Sequence, residues 1–278
     1  MTIAAAFLAA CEAELAALKP GNVHVYAPGH GMTEADFRRS ATAVAPGLCT
    51  TGAGLGRRVL DAVTATREVV GQNTNLGIIL LCAPLAMAAE SRPHDLRAAL
   101  CRTLAASNVV DASLAFQAIA LAAPGGLGDA ARHDVRAPAT VTLPEAMALA
   151  AHRDRIAYQY AHDFADVFEI GLRFFGAARI RWADAWAIAA LYLRFLATFP
   201  DSHVQRRHGV AAAEAVQQEA RRMEAAYTAA ADPAALQPEL LAWDARLKAR
   251  GINPGTSADL TVATLFAHKL EDLAGRAR

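Results

Sequence analysis

Apolar residues recur along this chain at helical spacing almost from its first residue. Ile3, Phe7, Ala10, Cys11, Leu15 and Leu18 follow the i, i+3/i+4 rule, and the run stops at Lys19-Pro20-Gly21. A loop with Pro28, Gly29 and Gly31 follows, and Thr33 ahead of Glu34 and Asp36 reads as the next helix start. Further helical patterns lie near 33–45, 52–70, 75–90, 93–106, 109–122, 143–176, 181–198, 209–230, 234–249 and 257–274. No segment alternates as a half-buried strand does. Val23-His24-Val25-Tyr26 and Ala139-Thr140-Val141-Thr142 are the only short strand candidates. The pattern predicts an all-α chain, 1–278, folded as a single compact domain of about ten helices. The glycine- and proline-bearing stretch from Gly125 to Pro138 reads as a covering loop.

Composition agrees with the periodicity. About a quarter of the 278 residues are alanine, the best helix former and a poor strand former. Hydrophobic residues make up 54%, which excludes disorder. Lys+Arg 27 balance Asp+Glu 27, so no global field would hold the chain on nucleic acid or an anionic membrane. Phosphate binding would need a local cluster. The longest apolar run, Ile78 to Ala89, is too short to span a bilayer. The N-terminus lacks a basic flank and carries Glu12 and Glu14, so it reads as an amphipathic helix rather than a signal. Cys11, Cys49, Cys82 and Cys101 have no metal or redox spacing and read as buried, reduced thiols. A soluble, cytoplasmic protein is expected, and its alanine-rich helices would permit a homodimer.

Candidate chemistry gathers where helices break. Lys19-Pro20-Gly21-Asn22-Val23-His24 sets a cation, an amide and an imidazole in a stiff turn. Gly71-Gln72-Asn73-Thr74-Asn75-Leu76-Gly77 and Asn253-Pro254-Gly255-Thr256-Ser257-Ala258-Asp259 each lead into a helix, whose free N–H groups favour phosphate or carboxylate. Simple capping by Thr74, Asn75, Thr256 and Ser257 is the competing reading. Asp163, Asp166 and Glu169, three apart on the 143–176 pattern, would share a helix face and could hold Mg²⁺ with phosphate oxygens. A solvated acidic face is the alternative. Phe199 to Gly209 concentrates Asp201, His203, Arg206, Arg207 and His208, and arginine suits bidentate phosphate contact. Walker A, Rossmann, GxSxG and HExxH patterns are all missing.

Taken in order, Lys19–His24, His30-Gly31-Met32 with Phe37 and Ser40, Asn73-Thr74 with Gly77, Asp201 with Arg206 and Gly209, and Asn253–Leu260 resemble the triphosphoribosyl-dephospho-CoA synthase family, over about residues 12 to 270. The resemblance implies a helical enzyme that transfers the triphosphoribosyl part of ATP to 3′-dephospho-CoA and releases adenine. The chain departs from the family pattern at three places. His24 stands where the family's KPG-x-V-D has its acid. Gly29-His30-Gly31-Met32 lacks the acid of G-A-H-x-D-M, and Asn75-Leu76 replace the histidine and lysine of N-T-H-K-G. These departures make it similar to a divergent branch of archaea and methylotrophic bacteria, associated with one-carbon metabolism.

For this reaction the resemblance and the chemistry together place Mg²⁺ on Asp163 and Asp166. They place the phosphates of ATP on Arg206, Asn73, Thr74, Gly255, Thr256 and Ser257. Asp201 stands as base or oxocarbenium stabiliser, and Asp166 as the second catalytic carboxylate. His24 and His30 would lie near the nucleoside, with Lys19, Asn22, Asn253 and Asp259 completing the substrate site. Two other readings stand beside it. One is a related nucleotide-dependent transferase that serves a methanopterin- or methanofuran-type cofactor. The other is a non-catalytic helical partner with a degenerate site.

Overall fold

The computed structural model describes residues 1–91, 93–126 and 132–275. Fourteen α-helices form among them, and no strand does. The first half contributes α1 (Ile3–Ala16), α2 (Glu34–Leu48), α3 (Leu55–Val70), α4 (Leu76–Ala89), α5 (Leu96–Ala105), α6 (Val109–Ala122) and α7 (Leu143–Ala150). The second contributes α8 (Arg155–Ala161), α9 (Leu172–Arg181), α10 (Asp184–Thr198), α11 (Ser202–His208), α12 (Val210–Ala229), α13 (Gln237–Ala249) and α14 (Gly255–Gly275). Val23–Tyr26 makes an isolated bridge from His24 to Ala27, and 139–142 is a turn leading to α7. The 127–131 part of the proposed covering loop lies outside the described residues.

Helix starts follow local chemistry. Thr2 Oγ1 accepts from Ala5 N at 3.1 Å to open α1, and Thr33–Asp36, Asn108–Asp111 and Thr142–Glu145 form capping boxes. The inner helices are α4 and α14. α4 is apolar on every side and buries eleven of its fourteen residues, from Ile78 to Ala89. α14 packs on α1, α4 and α10 and buries Leu260, Val262, Leu265 and Phe266. Both inner helices begin at the same end of the molecule, so the two loops that precede them meet.

The 143–176 pattern is not one helix. It splits into α7, α8, a π-helical turn over Asp166–Gly171, and α9. Asp163 (φ 50°) and Phe164 (φ 55°) adopt the left-handed conformation at the break, strained for residues with a Cβ. Phe164 is fully buried there, which supplies the compensating packing. Ser202–His208, which the sequence pattern leaves between two helices, is a seven-residue helix. Among the cysteines, Cys11 and Cys82 are buried while Cys49 and Cys101 are half-buried, and all four are free thiols. No single helix among the described residues is long and apolar enough to cross a membrane.

Candidate active site

The loops before α4 and α14 meet α11 and the turn after α1 around a cavity of about 740 Å³, well within the range of small-molecule sites. Two close approaches fix this junction. A Cβ on Gly77 would stand 2.0 Å from Asp259 Oδ2, and one on Gly255 would stand 2.5 Å from His203 Nδ1. Only glycine lets α4 approach the Asp259 carboxylate and α14 approach the His203 ring.

The floor is built from the turn after α1. Lys19 is fully buried, pairs with Glu14 and donates to Asn22 Oδ1 at 3.3 Å. Asn22 in turn donates to Asn253 Oδ1 at 2.8 Å, joining this turn to the α14 loop. Tyr192 donates to the Pro20 carbonyl at 2.7 Å from behind. Burial pushes the Glu14 carboxyl up and the Lys19 ammonium down, and their attraction opposes both shifts. Asp259 stands above them. Burial, with Asp201 and Glu14 nearby, drives its carboxyl well above the usual carboxylate range. Among the described residues Asp259 has neither a hydrogen-bond nor an ion-pair partner.

The basic wall comes from α11. Arg206 pairs with Asp154, and its Nε is buried without a partner. His203 is held neutral, its imidazole pushed down to about 4 by burial and by Arg206 and Arg207. On the opposite rim Thr74 Oγ1 is likewise buried and unpartnered. Its neighbours are committed: Asn73 Oδ1 accepts from Leu76 N at 3.1 Å, and Asn75 Oδ1 accepts from Thr66 at 3.0 Å.

Of the residues expected from sequence, Asn22, His30, Asn73, Thr74, Arg206, Asn253, Gly255, Thr256 and Asp259 line this cavity. Lys19, His24, Asp201 and Ser257 stand behind its wall. Asp201 uses both oxygens inside the protein: Oδ1 accepts from His203 N (2.9 Å) and Val204 N (3.1 Å), while Oδ2 accepts from Ser257 N and Oγ (both 2.8 Å). It clips α11 to the start of α14 and leaves no lone pair aimed at a substrate. His24 lies 3.3 Å from Asp244 Oδ1, and that same oxygen accepts from Gly21 N at 2.8 Å. An acid from α13 therefore braces the turn in which this chain carries His24.

Asp163 and Asp166 do not form the expected metal face, because the chain breaks between α8 and the π turn. Asp166 is 2% exposed, accepts from Arg155 at 2.6 and 2.7 Å, and accepts from Gln159 at 2.5 Å. Glu169 turns outward to Arg97 at 2.8 Å. Among the described residues no three His, Cys, Asp or Glu side chains converge as a metal site. Sequence reading overlooked Glu14 as a cavity residue, although its place three residues after Cys11, on the apolar stripe of α1, was the available signal.

Comparison with known proteins bears on the fold and the family. No curated protein matches the chain. A crystal structure from Archaeoglobus fulgidus, described as a "putative triphosphoribosyl-dephospho-coA synthase", superposes with a TM-score of 0.66 at 24% identity, covering 84% of this chain and 96% of that one. At that identity the likeness speaks for the fold. The family model of the ATP:dephospho-CoA triphosphoribosyl transferases, CitG, matches residues 1–278. The chain belongs to the CitG family and is a transferase of the triphosphoribosyl-dephospho-CoA synthase type.

Proposed function

We propose that the cavity binds ATP and 3′-dephospho-CoA together, with Asp259 as the base for the attacking hydroxyl. The observation that carries this reading is one cavity lined by two buried polar atoms without a partner, Arg206 Nε and Thr74 Oγ1, and by the half-buried Asp259 carboxylate, which has no partner among the described residues. Buried polar groups are ordinarily paired, and those left unpaired at a cavity wall await a ligand. Arg206 and Thr74 would take phosphate oxygens of ATP, helped by Arg207 and by the N–H groups that open α4 and α14.

In the reaction a hydroxyl of the acceptor forms a bond to C1′ of the ATP ribose as the bond from C1′ to adenine breaks. Asp259 takes the proton of the hydroxyl. Adenine leaves with the bonding electron pair and gains a proton from water. The negative charge of Asp259 also faces the positive charge that develops on the ribose. A raised carboxyl suits this task, because a base works best with its pKa nearer the operating pH. Asp201 becomes a positioning residue that holds His203, Arg206 and the α14 N-terminus in register.

The residues around the cavity do not fit a resident metal. Glu14 is consumed by Lys19 and Asp154 by Arg206, while Asp166, outside the cavity lining, is consumed by Arg155, and no three acidic, His or Cys side chains converge among the described residues. Mg²⁺ would therefore enter as MgATP, as part of the substrate. One observation favours a related acceptor over dephospho-CoA: Asn75 and Leu76 bring no cation to the rim of the cavity. Incubation with MgATP and dephospho-CoA, with free adenine measured by chromatography, tests the proposal. Adenine released in step with the triphosphoribosylated acceptor supports it. Adenine released only with a different acceptor favours the second reading, and ATP binding without turnover defeats both.

A further inference from the structure

We infer that the inward face of α7 seats the long neutral arm of the acceptor, the pantetheine portion of dephospho-CoA. The inference rests on the transferase reading above and adds the place of one substrate within the cavity. The helix reads Leu-Pro-Glu-Ala-Met-Ala-Leu-Ala, yet only Leu143 among its eight residues is buried. Ala146 and Met147 pack against the core with part of their surface only, so the helix keeps an apolar edge that the protein does not fully cover. Ala146, Met147, Leu149 and Ala150 share one helical face, and all four line the cavity. Leu149 is 44% exposed. Across from them α6 offers Phe116 and Ile119, one turn apart.

This apolar wall borders the charged one, which Asp154 joins through Arg206, but it stands on other helices. α7 packs on α8 and α6, whereas Arg206 and Asp259 stand on α11 and α14. ATP carries its charge at one end and stops at adenine, one bond from the reacting carbon beside Asp259. Adenine is an uncharged ring that ATP presents to an apolar surface, but it is too short to cover the length of α7. Dephospho-CoA can cover it, because beyond its diphosphate runs a flexible chain of methylenes, a gem-dimethyl carbon and two amides. An eight-residue helix offers about 12 Å of length for such a chain. Binding would remove Met147 and Leu149 from water, which is the driving force the exposed face lacks in the free protein.

The test is calorimetric titration of the full chain with dephospho-CoA and with ADP, the donor site being filled by a C-nucleoside analogue of ATP, whose carbon–carbon bond from C1′ to the base cannot break in the transfer. The arm should make dephospho-CoA bind at least about tenfold more tightly than ADP. Leu149→Glu and Met147→Glu should bring the two ligands to within about twofold, while the KM for ATP stays unchanged. Leu149→Glu alters a half-exposed position, so its fold should survive, as circular dichroism would verify. Equal binding of the two ligands by the unaltered protein would overturn the inference, and so would equal weakening of both by the variants. Strong arm-dependent binding with no adenine release would instead break the transferase reading and leave the arm site standing.

Discussion

At the scale of single residues, the proposed function rests on groups that the fold leaves unmet. Arg206 was legible as a candidate because arginines and histidines crowd between Phe199 and Gly209, and the structure sets it on the cavity wall. Asp163 and Asp166 misled for a physical reason. Spacing by three implies a shared face only while the helix continues, and positive φ at Asp163 and Phe164 interrupts it. Replacing Arg206 by Ala removes a charge-assisted contact worth about 1.5–3 kcal/mol, so ATP affinity should fall by about ten- to a hundredfold in equilibrium titration. Thr74→Val should weaken ATP binding by less than that, since a neutral hydrogen bond is worth about 0.5–1.5 kcal/mol. Undiminished ATP binding by Arg206→Ala would remove that residue from the phosphate site.

At the scale of helices, the site depends on how three of them begin. Asp201 is the N-cap of α11 and the acceptor for the first turn of α14. Asp201→Ala should lower stability by at least about 2 kcal/mol, from a lost cap and donors left unpaired, as denaturant unfolding would measure. A stability within about 0.5 kcal/mol of the parent would show that the clip carries no load. Gly77→Ala sends a methyl group into the Asp259 carboxylate and should reduce turnover while the melting curve keeps its single transition. The loops before α4 and α14 were readable as helix starts, from their Asn, Thr, Ser and Gly residues. That they face one another was not readable, because it follows from α4 and α14 both lying in the core and starting at one end. The apolar face of α7 was hidden for the same reason: periodicity reports an apolar stripe without saying what covers it.

At the scale of the whole molecule, a neutral chain carries a locally uncompensated carboxylate. The alanine-rich helical scaffold was evident from sequence alone, and burial beside Asp201 and Glu14 is what makes a charge on Asp259 costly. A carboxyl raised in the folded state contributes stability only while protonated. That contribution is present below the unfolded value, about 3.9, and is lost as pH rises through the folded one. Ionising Asp259 therefore costs the fold stability. Catalysis has the opposite demand, since a base must be ionised. The rate of adenine release should climb with pH through a limb lying above the ordinary carboxylate range, in a pH–rate profile taken with saturating MgATP.

These opposed demands give the most direct measurement, a paired determination of melting temperature and adenine release on Asp259→Asn at neutral pH. The expected result is a higher melting temperature together with a loss of turnover of about 10²–10⁴-fold. Full turnover in this variant would contradict the placement of the base. A lower melting temperature would contradict the claim that the cavity holds its carboxylate at a cost to the fold.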